Sequence, residues 1–252
     1  MPDLSIKQRL ARGQKQLGLV MLLPSPDVAE IIAHSGVDVA MIDHEHGTGS
    51  LQDFVAQDRV LAASPMRAMV RTPGHDPAYM QRLLDAGARG LVCPGIDTAE
   101  QAQAFVRACR YPPRGARGAG AGARAARYGA DSVWYGQEHE DDLLLVAQIE
   151  SAEAVENIDA ICAVPGVDMM LIGPRDLSAS IGALNRFDNL ELWRLVNHAA
   201  ERIKASGKHL ACTLHPGRTV GEMFAEGYDL VLAGKDVDFL VNGAKALAAT
   251  KG

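Results

Sequence analysis

The sequence predicts a (β/α)8 barrel, on three observations. Eight short apolar runs, several rich in β-branched residues, recur along the 252 residues. Stretches with helical spacing alternate with them. The runs are apolar on both faces, as parallel strands are when helices cover them. Eight such alternations in a chain of this length suit one barrel domain spanning 1–252. A doubly wound open sheet is the nearest alternative, and no low-complexity segment or linker divides the chain.

The elements follow in order. LGLVMLL (17–23) leads to the helical DVAEIIAHSG, and VDVAMI (37–42) to LQDFVAQDRVLAA. MRAMV (66–70) precedes PAYMQRLLDAG, and GLVCP (90–94) precedes TAEQAQAFVRACR. LLLVAQI (143–149) is followed by SAEAVENIDAICAV, and VDMMLI (167–172) by LELWRLVNHAAERIKASG. HLACTL (209–214), TVGEMFAEG and YDLVLA (228–233) close the series. Several helical stretches end in Gly, a common helix stop. The connection between GLVCP and LLLVAQI is abnormally long. After one good helix it runs through RYPPRGARGAGAGARAARYG (110–129), rich in Arg, Gly and Ala. It is either a surface loop or, as long loops in compact domains often are, part of a functional site.

The composition excludes several classes. About half the residues are apolar (48%), enough for a full core. The formal net charge of -6 argues against nucleic acid as the main partner. The four cysteines, Cys93, Cys109, Cys162 and Cys212, form no CxxC pair. They suit reduced thiols in a cytoplasmic protein better than a disulfide frame or zinc site. The N-terminus lacks a secretory apolar core, and no apolar run approaches the ~20 residues that span a bilayer.

In a barrel the chemistry lies on the loops after the C-terminal strand ends. Strand two ends in Asp43-His44-Glu45-His46-Gly47, and strand three in Arg71-Thr72-Pro73. Strand five ends in Gln148-Ile149-Glu150-Ser151, and strand six in Gly173-Pro174-Arg175-Asp176. Polar groups from strands far apart in sequence thus collect at one end. Glu150 and Asp176, on neighbouring strands, offer hard oxygen ligands to a divalent metal ion, Mg2+ or Mn2+. Helix N-caps are the alternative, since both precede a helical stretch. Arg71 could clamp a carboxylate or an enolate oxygen, pair with Asp43 or Glu45, or do both. His46 is a candidate general base, since imidazole titrates near neutrality, with Asp43 as its orienting acid. A metal-ligand role for the two histidines stays open, although HxH is not the HExxH pattern. Alternation would put His44 and His46 on one side and Asp43 and Glu45 on the other. The N–H groups of Arg175 and Asp176 could face a small anion, with Gly173 allowing close approach. Together these groups suit a small 2-oxo acid.

The chain resembles the metal-dependent (class II) pyruvate aldolases of the HpcH/HpaI family, of the 2-dehydro-3-deoxyglucarate and 4-hydroxy-2-oxoheptanedioate aldolase type. The stretches that carry the resemblance are MIDHEHG, VRTPGHDP, LLDAGARGLVCPGIDTAEQA, RYPPRGARGAG, VAQIESAEAVENIDAICAVPGVDMMLIGPRDLSASIG and GYDLVLAGKD, from about residue 17 to 240. It implies a (β/α)8 TIM barrel of the phosphoenolpyruvate/pyruvate-binding type, and a hexamer built as a trimer of dimers with the C-terminal helix swapped between subunits. It implies a divalent metal ion (Mg2+, Mn2+ or Co2+) on Glu150 and Asp176, with Gln148 on a metal-bound water. It implies Arg71 beside the C2 oxygen of pyruvate and His46 as base, supported by Asp43. It also implies that Asp85 reaches a neighbouring subunit's site. The substrate-binding set would be Arg71, Gln148, Gly173, Pro174, Arg175, Asp176 and Thr213. The implied reaction is reversible cleavage of a 4-hydroxy-2-oxo acid to pyruvate and an aldehyde, through a metal-stabilised enolate. A related synthase that condenses a 2-oxo acid enolate with a carboxylate-bearing acceptor is the alternative. The sequence departs from the commonest pattern at His44, where Gly or Leu is frequent, and at GLVCPGID, which brings Cys93 and Gly95 near the pocket. Thr213-Leu214-His215 is where acceptor selectivity is expected. Arg114, Arg117, Arg124 and Arg127 could suit an acidic aldehyde. Lys235 would be the residue for a Schiff base, were the mechanism of that kind.

Overall fold

In a computed structural model, which describes residues 4–130 and 141–251, eight parallel strands close into a barrel in sequence order. They are β1 (Gln16–Met21), β2 (Val39–Asp43), β3 (Arg67–Arg71), β4 (Gly90–Cys93), β5 (Leu144–Ile149), β6 (Met169–Ile172), β7 (His209–Thr213) and β8 (Leu230–Lys235). All eight apolar runs are strands, and β8 pairs back onto β1 to remove any sheet edge. The doubly wound alternative is thereby excluded.

The helices are α1 (Ile6–Ala11), α2 (Pro26–Ala33), α3 (Leu51–Leu61), α4 (Pro77–Asp85) and α5 (Ala99–Cys109). After the long connection come α6 (Ala152–Glu156), α7 (Ile158–Cys162), α8 (Pro174–Ser180), α9 (Leu190–Ser206), α10 (Val220–Ala225) and α11 (Asp236–Ala249). The stretch SAEAVENIDAICAV is two short helices meeting at Asn157 rather than one. Side-chain oxygens mark many of the starts: Ser5, Ser50, Thr98 and Thr219 form capping boxes.

Alternation along each strand sorts its residues into two layers. Leu19, Ile42, Val70, Leu91, Leu145 and Val231 pack outward against the helices. Val20, Val39, Met41, Met69, Val92, Leu144, Val146, Leu171, Ala211 and Leu232 fill the interior. Ile6 and Leu10 of α1 join that interior cluster, so α1 closes the base of the barrel.

The base carries a recurring clip. Gly36-Val37-Asp38, Gly166-Val167-Asp168 and Gly227-Tyr228-Asp229 each lead into an even-numbered strand. Each Gly has positive φ (83°, 92° and 101°), a turn that other residues enter at a cost. Each Asp carboxylate accepts the main-chain N–H of an odd-numbered neighbour strand: Leu17 to Asp38 at 2.9 Å, Leu145 to Asp168 at 2.9 Å and Leu210 to Asp229 at 3.0 Å.

The Arg-rich connection also packs at the base. Arg117, 3% exposed, pairs with Asp85 at 2.6 Å and lies over the Tyr111 ring. Arg124 pairs with Asp58 at 2.6 Å and donates to the carbonyl oxygen of Ala86. Within one chain the described part of this connection therefore lies away from the C-terminal strand ends, because the helices it touches run back from mouth to base. Residues 131–140 of it lie outside the described residues.

Candidate active site

The inward positions of the strands are apolar until the mouth, where they become polar. Val39 and Met41 precede Asp43, Met69 precedes Arg71, and Leu144 and Val146 precede Gln148. Ala211 precedes Thr213 in the same way. Strand parity thus aims the polar groups into a cavity of about 620 Å³, lined by Asp43, His46, Arg71, Gln148, Gly173–Asp176, Thr213 and residues of the β7 and β8 ends.

Asp43 and Arg71 form its most ordered pair. Arg71 Nε and Nη2 donate to the two Asp43 oxygens at 3.0 and 2.6 Å. The fork is bidentate, which fixes the guanidinium plane as well as its position. Nη1 lies 3.0 Å from Glu45 Oε2, yet that buried oxygen has no aligned hydrogen bond, so this contact is an ion pair only. Two of the five guanidinium N–H groups bond Asp43, which leaves the others for a substrate oxygen. Burial works to raise the Asp43 carboxyl, but the bonds and charge of Arg71, with the N–H groups of His46 and Glu45, hold it below the usual range.

The DHEHG stretch divides its side chains. Asp43 and Glu45 face Arg71, while His44 points away and bonds Tyr79 of α4. Alternation therefore holds through Glu45. It fails at His46, which turns into the cavity with its side chain 59% exposed. The orienting role expected of Asp43 is corrected in kind. Its Oδ1 accepts the main-chain N–H groups of Glu45 and His46 at 3.0 and 3.3 Å, not the imidazole. The acid beside the ring is Glu45, 3.8 Å from His46 Nε2. The two histidines point in different directions, so the shared-ligand role left open for them does not hold.

Glu150 and Asp176 are not helix caps. Ser151 caps α6 through the N–H of Ala154, and Gly173 starts α8 without a side-chain cap. Glu150 instead accepts the Gly95 N–H at 2.7 Å, on a turn where Gly95 has φ 59°, and a hydrogen bond from Gln148 Nε2. Its carboxyl is raised, first by burial and further by the charges of Asp176 and Glu45, against the lowering effect of those two hydrogen bonds. Three acids thus share one field beside a buried Gln148 Oε1 that has no hydrogen-bond partner. An added Cβ on Gly173 would lie 3.0 Å from Glu150 Cβ and 3.1 Å from its Oε2, so a larger residue there would push the Glu150 side chain aside by a few tenths of an ångström. Among the described residues no group of three or more His, Cys, Asp or Glu has the geometry of a closed metal cage. Two hard carboxylates with open positions instead fit an ion that keeps water and substrate among its ligands.

Asp85, expected at a neighbouring subunit's site, lies at the C-terminal end of α4 of its own barrel, paired with Arg117 at the base. One expectation is revised. Arg114 pairs with Asp141, and Arg117 and Arg124 are held at the base, so within the chain they do not supply charge for an acidic aldehyde. Arg71 pairs with both Asp43 and Glu45, one of the roles the sequence offers it. The sequence places Gly95 near the pocket but does not show its hydrogen bond to Glu150. The wall formed by Phe187 and Trp193 was also not anticipated, because those residues come from α9 and the loop before it rather than from a strand end.

Comparison with known proteins gives the same class. A family model described as HpcH/HpaI aldolase/citrate lyase matches residues 16–243. A 4-hydroxy-2-oxovalerate aldolase of Novosphingobium aromaticivorans is 42% identical over 244 residues, covering 96% of this chain and 92% of that protein. A hydroxypyruvate/pyruvate aldolase of Deinococcus radiodurans is 38% identical over 246 residues, covering 98% and 89%. The crystal structure of an HpcH/HpaI aldolase/citrate lyase family protein from Burkholderia cenocepacia superposes with a TM-score of 0.92 at 32% identity, covering 98% and 99%. The mouth of this barrel is thus that of a carbon–carbon lyase. The chain belongs to the HpcH/HpaI aldolase/citrate lyase family.

Proposed function

We propose that the protein is a divalent-metal-dependent aldolase that cleaves a 4-hydroxy-2-oxo acid reversibly to pyruvate and an aldehyde. The observation that carries this is the convergence of Asp176, Gln148, Arg71 and His46 on one cavity, with Glu150 hydrogen-bonded to Gln148 beside it and neither candidate metal carboxylate used as a cap. Glu150 and Asp176 would hold the ion, and Gln148 a water beside it. The ion, when bound, supplies Lewis-acid polarisation of the C2 carbonyl.

The residues of the chain do the rest. Arg71, fixed by Asp43, donates to the C2 oxygen as it gains negative charge. The first turn of α8, from Gly173 through Pro174 and Arg175 to Asp176, borders the substrate carboxylate. His46 takes the proton of the 4-hydroxyl. The C3–C4 bond then breaks, its electrons pass into the enolate, and the 4-oxygen becomes the aldehyde carbonyl. A proton delivered to C3 completes pyruvate. Thr213 and its neighbours border the acceptor. The synthase alternative has less support, since both sequence relatives above are named aldolases.

The assembly belongs to the same proposal. Phe239, Leu240, Val241 and Leu247 of α11 are 57%, 59%, 48% and 73% exposed, an apolar face that suits a helix exchanged between subunits of a hexamer. A neighbour would also bring Asp85 from its base to this mouth.

The test is pyruvate release from a racemic 4-hydroxy-2-oxo acid, coupled to lactate dehydrogenase, with EDTA and with Mg2+, Mn2+ or Co2+ restored. Activity lost to EDTA and regained with metal is expected. Activity indifferent to EDTA would move the chemistry to a Schiff base on Lys235, which also lines the cavity. No pyruvate from a panel of such acids would favour a synthase. His46→Gln should slow cleavage by about 10²–10⁴-fold and leave metal binding, read by calorimetry, intact.

A further inference from the structure

His44 has no place in the chemistry above, yet it is among the most constrained polar residues of the mouth. Its main-chain N–H donates to the Arg71 carbonyl oxygen at 3.0 Å, extending the β2–β3 pairing by one residue. The residue is only 6% exposed. Nδ1 lies 2.8 Å from the Tyr79 hydroxyl, with the two rings edge to face at 6.0 Å. Tyr79 is packed against the outer core on α4. On its other side the His44 ring rests against the loop that leads to α3, where an added Cβ on Gly49 would lie 3.5 Å from Nε2. Nε2 itself is buried without a hydrogen-bond partner.

A buried imidazole with an unpaired nitrogen costs stability in its own right, because that nitrogen loses its water. Leucine would fill such a space without that cost. The polar ring gains something else: a directional bond from the end of β2 to α4. The turn that carries His46 is held from within by Asp43, through the N–H groups of Glu45 and His46. His44 holds the same turn from outside. Two anchors on opposite sides of a short turn restrict its orientation more than either alone.

We propose that His44, braced by Tyr79, is a positioning residue that sets where the His46 imidazole stands in the cavity. It works in the neutral form, which burial favours over the opposing charges of Asp43 and Asp53. This rests on the proposed aldol chemistry only for its kinetic consequence; the structural consequence stands without it. The consequence is selective. Decarboxylation of oxaloacetate, a 2-oxo acid with a carboxylate on C3, passes through the same enolate but takes no proton from a hydroxyl. It needs Arg71 and the metal carboxylates, and not His46.

The test uses Tyr79→Phe, which removes one hydroxyl, and His44→Phe, which keeps a ring, on the full chain. The first readout is the ring-proton resonance of His46 without substrate, assigned by its loss in His46→Gln. Both variants should shift it, and the double variant should shift it no further than His44→Phe. The second readout is kinetic. kcat for aldol cleavage should fall about tenfold in each variant with KM held, since small misplacements of a reacting group have costs of that order or more. Oxaloacetate decarboxylation should stay within twofold, and His44→Gln, which can still bond Tyr79, should recover part of the cleavage rate. An unmoved His46 resonance overturns the proposal. So does an equal loss of both reactions, which would mark a general structural role. A wild-type chain that releases no pyruvate would instead remove the aldolase assignment, and the resonance then decides on the brace alone.

Discussion

Gly47 shows how little slack the mouth has at the level of one residue. An added Cβ there would overlap the main-chain oxygen of Asp43 and lie 3.0 Å from that of Leu22. Main-chain atoms cannot step aside as a side chain can. Gly47→Ala should therefore displace the turn, lowering stability by roughly 1–3 kcal/mol in a denaturant titration and reducing turnover with it. Arg71 allows a sharper comparison. Arg71→Lys keeps the charge and loses the bidentate fork to Asp43. kcat/KM should drop by about 10²-fold while the far-ultraviolet circular dichroism is unchanged; a lysine enzyme within twofold of wild type would show that only charge is needed. The polar residues of this site were legible because strand ends in a barrel converge by rule. The partners were less so. Asp43 on the His46 main chain, Gly95 on Glu150 and His44 on Tyr79 depend on side-chain rotation and loop path, which no spacing in the sequence encodes.

Elements impose their own logic, seen best in the clips at the base. Asp229 has three polar partners, an amide, a lysine and a histidine. It accepts from Leu210, and Lys15 Nζ and His209 Nδ1 lie 2.9 and 3.3 Å away. Burial works to raise its carboxyl, but these hydrogen bonds and the Lys15 charge bring it down to about 2. A carboxyl lowered on folding contributes stability above its unfolded value, near 4, and loses it as pH falls through the folded value. Asp229→Asn should therefore lower stability by about 1–2 kcal/mol at neutral pH, and the gap from wild type should close between about pH 4 and 2. A gap that is constant with pH would show that the side chain acts by shape rather than charge. The strands and most helices were predictable from apolar runs and Gly stops. The break of one helix at Asn157 was not, since both halves keep the same helical spacing.

At the scale of the whole molecule, the proposed assembly would use two surfaces. One is the apolar face of α11; the other is the base, where Asp85 lies away from the mouth of its own barrel. Phe239 lies across Gly234, whose added Cβ would fall 2.9 Å from its ring, so α11 also touches the rim of the mouth. Phe239→Glu with Leu240→Glu should reduce the sedimenting mass and lower activity together. An unchanged mass would separate that helix from assembly. Function, fold class and family were all legible in the sequence. The position of the Arg-rich connection was not, because a loop of that length is compatible with either end of a barrel until its ion pairs are seen.

The clips divide the molecule into a locked end and a variable one. Asp38, Asp168 and Asp229 secure β1, β5 and β7 where they enter, so the amides of Leu17, Leu145 and Leu210 should be among the last to exchange with deuterium, and those of the mouth loops among the first. A barrel sealed at its base by main-chain bonds to three aspartates can accept new residues at its rim without renegotiating its closure. On the proposed reading, acceptor choice would change by editing the ends of β7 and β8, on a frame held at the opposite pole.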